Sequence, residues 1–271
     1  MKWGIVAKPN VKKAASLAQD IIDFLQENEE DILVELACAK ALETKGVSLD
    51  HIDKHADIVI TVGGDGTILH TLSYVHKPLF AINSGGMGFL AEVESKYAIG
   101  GIKRVLEGKY NVEERAKLKI SVDKKRLMDA ANEVTVQTSQ IAKILYLQLY
   151  VDDELIETMG ADGVIVATPT GSTSYALSVG GPLLDPTVQA MVIAPIAPFK
   201  LSARPWIVPL EKTIGIKILP KSKNSQLVID GRTTKTVTAE SDIKITKSER
   251  TAKFVRFGES FYQMVRLKLV R

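Results

Sequence analysis

Apolar and polar positions follow two different rhythms along this chain. Over roughly the first hundred residues, short apolar runs alternate with helical patterns. WGIVA reads as a strand and is followed by a turn. In KKAASLAQDIIDFLQEN, Leu17, Ile21 and Leu25 recur at spacings of four, the stripe of an amphipathic helix. DILVELA fits a strand or the start of a helix equally well. ADIVITV and PLFAINSG are continuous apolar runs of the kind found in central parallel strands, and KYAIGGIKRVLEGKY returns to a helical pattern. This alternation predicts an open, Rossmann-like α/β sheet.

After about Asn111 the rhythm changes. KLKISV, NEVTV, ILYLQLYV, GVIVAT, WIVPL, TIGIKIL, QLVID, DIKITK and AKFVRF follow one another with turns between them. Several alternate apolar and polar positions, which predicts mostly antiparallel strands. Asp152 and Asp153 suit a hairpin turn. One helix is expected inside this region, at STSYALSVGG. The closing SFYQMVRLKLVR is amphipathic. The reading is therefore an α/β domain over residues 1–105 and a β-rich domain over 106–254, with 255–271 packing back on the first. A cleft between two such domains is the default place for a ligand.

Composition narrows the picture only slightly. The 271 residues are 45% hydrophobic and carry a net charge of +3, too weakly basic to argue for nucleic acid and suited to a small anionic substrate. The single cysteine, Cys38, allows no intrachain disulfide and is compatible with a reducing cytoplasm. No run reaches the roughly 18 uninterrupted apolar residues of a membrane span. A cytoplasmic protein with no membrane or nucleic-acid partner is expected.

Candidate chemistry begins at GGDGT, directly after the buried run ADIVITV. Glycines let the backbone turn tightly and approach a ligand, and their N–H groups can hold phosphate oxygens. Asp65 is the unexpected member, since a carboxylate repels phosphate. It can take a proton from an attacking hydroxyl, help hold Mg²⁺, or merely cap Thr67 or a following helix. No GxxxxGK[ST] loop occurs. Residues 86–91, GMGFLA, formally match a dinucleotide fingerprint. The following EVESK is a poor helix start, so a close backbone approach to a strand or ligand is the better reading. Farther on, GADGVIVATPTGSTSYALSVGGPLLDP puts Ser172, Thr173 and Ser174 at an expected helix start, where hydroxyls and amides bind anionic or hydroxyl-rich ligands. Asn132 and Glu133 are neighbours, and both can face one ligand only where a strand ends or bends.

Taken together, GGDGT, NEV and TPTGSTSYALSVGGP resemble the three signature motifs of the NAD kinase family, in that order and at similar spacing. LSARPWIVP and RFGESFYQ extend the likeness over nearly the whole chain. The resemblance implies the family's fold, with the β-rich domain binding NAD. It also implies its reaction: the adenosine 2′-hydroxyl of NAD attacks the terminal phosphoryl of ATP or polyphosphate, with a divalent metal, most simply Mg²⁺, to give NADP. Asp65 matches the general base, and Gly66 would bring backbone next to the sugar. Asn132 and Glu133 match residues that bind the adenosine part. Asp162, Thr173, Ser174, Tyr175 and Ser178 match residues near the nicotinamide half, with Thr170 beside them.

Other positions depart from the family pattern. His70 and Lys143 stand where relatives carry other basic residues. Gly160 stands where some have Arg, a position associated with strictness for NAD over NADH, which leaves NADH use open. Arg232 replaces a frequent Gln, positioned to pair with a phosphate or with Asp230, a second acidic group. The family also implies a homodimer or homotetramer, and the apolar MVIAPIAPF, a poor helix because of its prolines, suits interface or core. Two other readings stay open: a dinucleotide-binding sensor without catalysis, and a lipid or sugar kinase with a similar glycine–aspartate turn.

Overall fold

A computed structural model describes residues 1–85, 88–222, 225–258 and 260–269, and the chain divides into two units, Met1–Glu114 with Ala252–Arg271, and Arg115–Thr251. The architecture is the α/β unit followed by a mostly antiparallel β-rich unit that the sequence patterns predict.

In chain order the first unit holds β1 (Lys2–Ala7), α1 (Lys12–Glu27), β2 (Asp31–Val34), α2 (Leu36–Ala41), α3 (Leu49–His55), β3 (Ile58–Gly63), α4 (Asp65–Leu72), β4 (Leu79–Asn83), β5 (Val93–Glu94) and α5 (Ala98–Leu106). Its strands are parallel in the order β2-β1-β3-β4, with β5 added alongside β4. Every residue of β3 is buried, as its unbroken apolar run requires of a strand covered on both faces. Helix α1 turns Ala14, Ala18, Ile21 and Leu25 onto the sheet. The ambiguous DILVELA is both things at once, a strand to Val34 and then a helix whose N-terminal amides at Ala37 and Cys38 are capped by the Glu35 side chain.

The chain then runs through β6 (Asn111–Val122), which enters the second unit at Arg115, β7 (Lys125–Arg126), β8 (Glu133–Thr138), β9 (Leu145–Val151), β10 (Glu154–Ala161), β11 (Gly163–Ala167), α6 (Tyr175–Ser178), β12 (Ala190–Ile196), β13 (Trp206–Pro209), β14 (Ile214–Ile218), β15 (Ser225–Ile229), β16 (Thr233–Val237) and β17 (Ile243–Arg256), which leaves that unit after Thr251. A six-stranded antiparallel sheet runs β13-β12-β11-β8-β15-β16, and a second antiparallel ladder runs β10-β9-β14-β17. The core of this unit lies between them, where Val134, Val136, Val164 and Val166 meet Leu145, Leu147 and Leu149. The alternate residues of β11, Ile165 and Ala167, pack on Ala176 of α6. That second burial explains why GVIVA is apolar at every position. The last described element is α7 (Phe261–Leu269), and β17 meets β4 at Phe254 opposite Leu79, both within the first unit.

Two local expectations change, and a third becomes specific. STSYALSVGG is not one helix. Thr170–Thr173 form a 3-10 turn, Ser174 leaves helical geometry at ψ −132°, and α6 is a single turn of four residues. The cause is competition from side chains: Ser172 Oγ bonds the Pro169 carbonyl and the Leu184 backbone, and Thr173 Oγ1 bonds the Thr170 carbonyl. DIKITK and AKFVRF are the two ends of one 14-residue strand, β17. MVIAPI is the buried strand β12. Its Pro195 is tolerated because the ladder with β13 ends at Ile193, leaving that side of the strand without a partner needing an N–H.

Candidate active site

The GGDGT turn delivers Asp65 to the first residue of α4, at the carboxyl end of β3. Gly64 occupies the cap position with no side-chain cap, so Asp65 does not close its own helix. Its carboxylate instead reaches across to the segment after β4. Oδ2 accepts the Phe89 amide at 2.8 Å and Oδ1 the Leu90 amide at 3.3 Å. This is where the GMGFLA segment goes. Gly86 and Met87 lie outside the described residues, and the rest is no dinucleotide fingerprint but a pair of donors for one carboxylate. Gly88 packs so tightly on Asp65 that a Cβ there would collide with the carboxylate. The segment is anchored from behind. Arg256 Nη1 donates to the Leu90 carbonyl at 3.1 Å and to Glu92 at 2.9 Å, and Lys268 donates to the Gly88 carbonyl. Gly66 is exposed and has open space where a side chain would stand, and His70, half-buried, stacks edge-on against Tyr74.

A second constellation forms within the β-rich unit, where β8 begins. Because the strand starts at Glu133, Asn132 is not bound to the opposite-face rule. Asp230 gathers three successive amides, those of Ala131 at 2.8 Å, Asn132 at 2.8 Å and Glu133 at 3.0 Å. It can do so because it stands in the left-handed region (φ 47°) of the tight turn between β15 and β16, followed by Gly231 at φ 65°. The TPTG segment locks on from the other side: Thr168 N–H donates to the Asn132 carbonyl at 2.8 Å, and Gly171 lies against that same carbonyl with no room for a Cβ.

This clamp leaves two buried acceptors, Asn132 Oδ1 and Glu133 Oε2, with no hydrogen-bond partner among the described residues. Burial, then the nearby Asp230 charge, pushes the Glu133 carboxyl up to about 7, against the opposing effect of hydrogen bonds from the Ser174 hydroxyl and the Tyr175 amide. Burial likewise raises Asp230, opposed by its three amides. Burial lowers the Lys117 ammonium, which Asp129 and Asp230 hold up in turn.

The expected helix start therefore offers no open row of amides, since those of Gly171, Ser172 and Ser174 already donate to Thr168 Oγ1 and to the Pro169 and Gly171 carbonyls. Thr170 is buried and Tyr175 is 39% exposed, a ring face available to a ligand. Asn132, Glu133, Asp230, Ser174 and Tyr175 are thus brought together, with Thr170 and Thr173 in the adjoining turn. Lys143, Asp162 and Ser178 are exposed, and no hydrogen bond joins them or Gly160 to this cluster among the described residues. Gly160 faces Tyr146 across β9, and Arg232 is exposed two positions after Asp230. Sequence reasoning missed the donors Phe89 and Leu90 and the bracing hydroxyl of Thr168, which donates to the Ala131 carbonyl at 2.7 Å, because backbone donors and long-range contacts carry no residue signature. No three His, Cys, Asp or Glu side chains among the described residues converge as a metal-binding set. The described residues form no protein cage for a divalent ion.

Residues 3–110 match the family model for the ATP-NAD kinase N-terminal domain, and residues 131–257 that for the ATP-NAD kinase C-terminal domain. The chain is 39% identical over 271 residues to an NAD kinase of Thermoplasma acidophilum, covering 100% of this chain and 98% of that one. It is 40% identical over 274 residues to an NAD kinase of Methanothermobacter thermautotrophicus, covering 100% and 96%. Among solved structures it is similar to yeast NADH kinase complexed with NADH (TM-score 0.92, 26% identity, 100% of this chain and 87% of that one). It is also similar to an NAD kinase from Archaeoglobus fulgidus in complex with ATP (TM-score 0.82, 28% identity, 98% and 99%).

Proposed function

Because this chain belongs to the NAD kinase family, we propose that it transfers the terminal phosphoryl of ATP to the adenosine 2′-hydroxyl of NAD, giving NADP, with Asp65 as the general base. The observation that carries this reading is the fixing of the Asp65 carboxylate on two backbone amides beside the open Gly66. Phosphoryl transfer asks mainly for positioning and charge neutralisation, and a carboxylate held at a stated place can take the hydroxyl proton as the new P–O bond forms. The glycine amides of GGDGT supply donors for the donor phosphates. The divalent ion, most simply Mg²⁺, is carried by those phosphates and not by a protein cage.

In the β-rich unit, Asn132 Oδ1 and Glu133 Oε2 are acceptors in search of donors. A buried unpaired acceptor costs about 1–3 kcal/mol. The vicinal hydroxyls of a ribose remove that cost on binding, which supports the adenosine assignment. Thr173, Ser174, Tyr175, Ser178 and Asp162, with Thr170 beside them, serve the nicotinamide half. His70, Lys143 and Arg232 are assigned to the phosphates. The relatives named above with ATP and with NADH support ATP as donor and NADH as a second acceptor, and Gly160, lacking the larger side chain, agrees with the latter. Polyphosphate is the other donor to test.

Exposed Phe199, Leu201, Trp206 and Ile207 on the β-rich unit support a homodimer or homotetramer. A cytoplasmic location goes with soluble nucleotide substrates. No described helix is long and apolar enough to cross a membrane.

The test is NADP formation from NAD, ATP and Mg²⁺, with Asp65→Asn alongside. A loss of at least about a hundredfold in the variant is expected of a removed general base. A wild-type protein that yields no product with NAD or NADH, and with neither ATP nor polyphosphate, overturns the reading in favour of a sensor.

A further inference from the structure

The first unit contains a cavity of about 670 Å³ that the proposed reaction does not use, bounded by β5, α5 and α7. The volume lies in the range of small-molecule sites, about 300–1,000 Å³. Its apolar wall is made by Val93, Phe257, Met264 and Leu267, and methionine adapts to irregular ligands. Its charges are unevenly committed. Of the acids that line it, Glu92 is taken by Arg256 at 2.9 Å and by the Phe257 amide at 2.6 Å, and Glu94 is paired with Lys96 at 3.3 Å. Arg104 pairs with no carboxylate among the described residues; its guanidinium lies 4.0 Å above the Phe257 ring. Lys268 stands on the same wall.

Gly100, inside α5, also lines the cavity. Glycine there costs a helix roughly 0.5–1 kcal/mol relative to alanine. A Cβ at this position would meet nothing within 4 Å. The glycine is not demanded by packing, and it leaves the cavity wall without a side chain at this position.

We infer that this cavity binds an organic anion with a flat apolar body, its acidic group between Arg104 and Lys268 and its body against Phe257 and Met264. Occupancy reaches the reaction centre through a short path. Lys268 also donates to the Gly88 carbonyl, and the next two amides hold Asp65. A ligand that draws on Lys268 therefore changes how firmly the 88–90 segment is held. The binding stands by itself, whereas its effect on rate rests on the kinase reading.

The test is a fluorescence titration of the full chain with 8-anilino-1-naphthalenesulfonate, in the presence of saturating NAD and ATP to fill the nucleotide sites. Arg104→Glu removes the cation, and Gly100→Leu fills the cavity while favouring the helix. Each is expected to weaken binding at least about tenfold, the worth of one charged contact. N-phenyl-1-naphthylamine, the same body without the sulfonate, is expected to bind more weakly by a similar factor. No saturable binding, binding unchanged in both variants, or equal binding of the neutral amine overturns the site. Saturating sulfonate should also change the rate of NADP formation in the wild type but not in Gly100→Leu. Binding without that rate change overturns the path to Asp65. A wild type inactive without the sulfonate refutes the kinase reading alone, since the titration is read independently.

Discussion

Gly88 and the carboxylate of Asp65 compete for one space: a methyl group placed on Gly88 would overlap Asp65 Oδ1. The close fit lets the next two amides reach the carboxylate from one side. Gly88→Ala is therefore expected to displace the carboxylate and lower kcat about tenfold to a hundredfold, the usual penalty for a misplaced catalytic group. The KM for NAD should change little, because the adenosine contacts lie elsewhere. Steady-state kinetics checks the split, and an unchanged kcat would show that the bonded geometry is dispensable.

Glu133 makes both stability and binding depend on pH. Its carboxyl is raised from the ordinary 4.5 to about 7, first by burial and then by Asp230. The folded protein thus holds a proton that the unfolded chain has released between those values, so stability falls as pH rises from about 4.5 to 7. The span corresponds to an effect on the order of 3 kcal/mol. Urea denaturation across this range should show the decline, and Glu133→Gln should flatten this contribution. Binding runs the other way. The ionised carboxylate is the better acceptor for hydroxyls, so the KM for NAD should rise as pH drops below about 7, and should do so less in Glu133→Gln.

Asp230 is a positioning residue for Asn132 and Glu133. Asparagine is the conservative replacement because it tolerates the left-handed backbone, φ 47° here. Asp230→Asn keeps one acceptor but loses the charge, and puts an amide donor against backbone donors. A destabilisation of about 2–3 kcal/mol is expected, together with a raised KM for NAD at nearly unchanged kcat. A stability loss with no movement of KM would reduce Asp230 to a purely structural role.

Gly171→Ala tests the other half of the clamp. The added methyl meets the Asn132 carbonyl directly. Overpacking of this kind costs about 1–3 kcal/mol. The displaced carbonyl should also move the Asn132 side chain and raise the KM for NAD, measurable alongside the melting temperature.

Much of this protein is settled by local sequence. Unbroken apolar runs such as IVITV and GVIVA specify strands covered on both faces, because only burial on two sides favours apolar groups at successive positions. The 3.6-residue stripe of α1 and the glycines of GGDGT specify a sheet with a turn at its carboxyl edge. Residue chemistry singled out Asp65, since an acid among glycines needs a reason to be there, whereas Asn132 and Glu133 were marked only by the resemblance of NEV to a family motif.

What only the tertiary structure decided is the partner of each of these groups. Asp65 is bonded to backbone 24 and 25 positions away, and Asp230 to amides 97 to 99 positions away. Peptide N–H groups are alike in every residue but proline, so no residue code announces which of them will serve as donors. The split of STSYALSVGG has the same origin. Its hydroxyls found distant partners, the Leu184 backbone for Ser172 and the Glu133 carboxyl for Ser174, that a reading confined to helix periodicity does not contain. Periodicity registers which face is buried. Hydrogen-bond partners are chosen afterwards, by whichever groups the fold brings within about 3 Å.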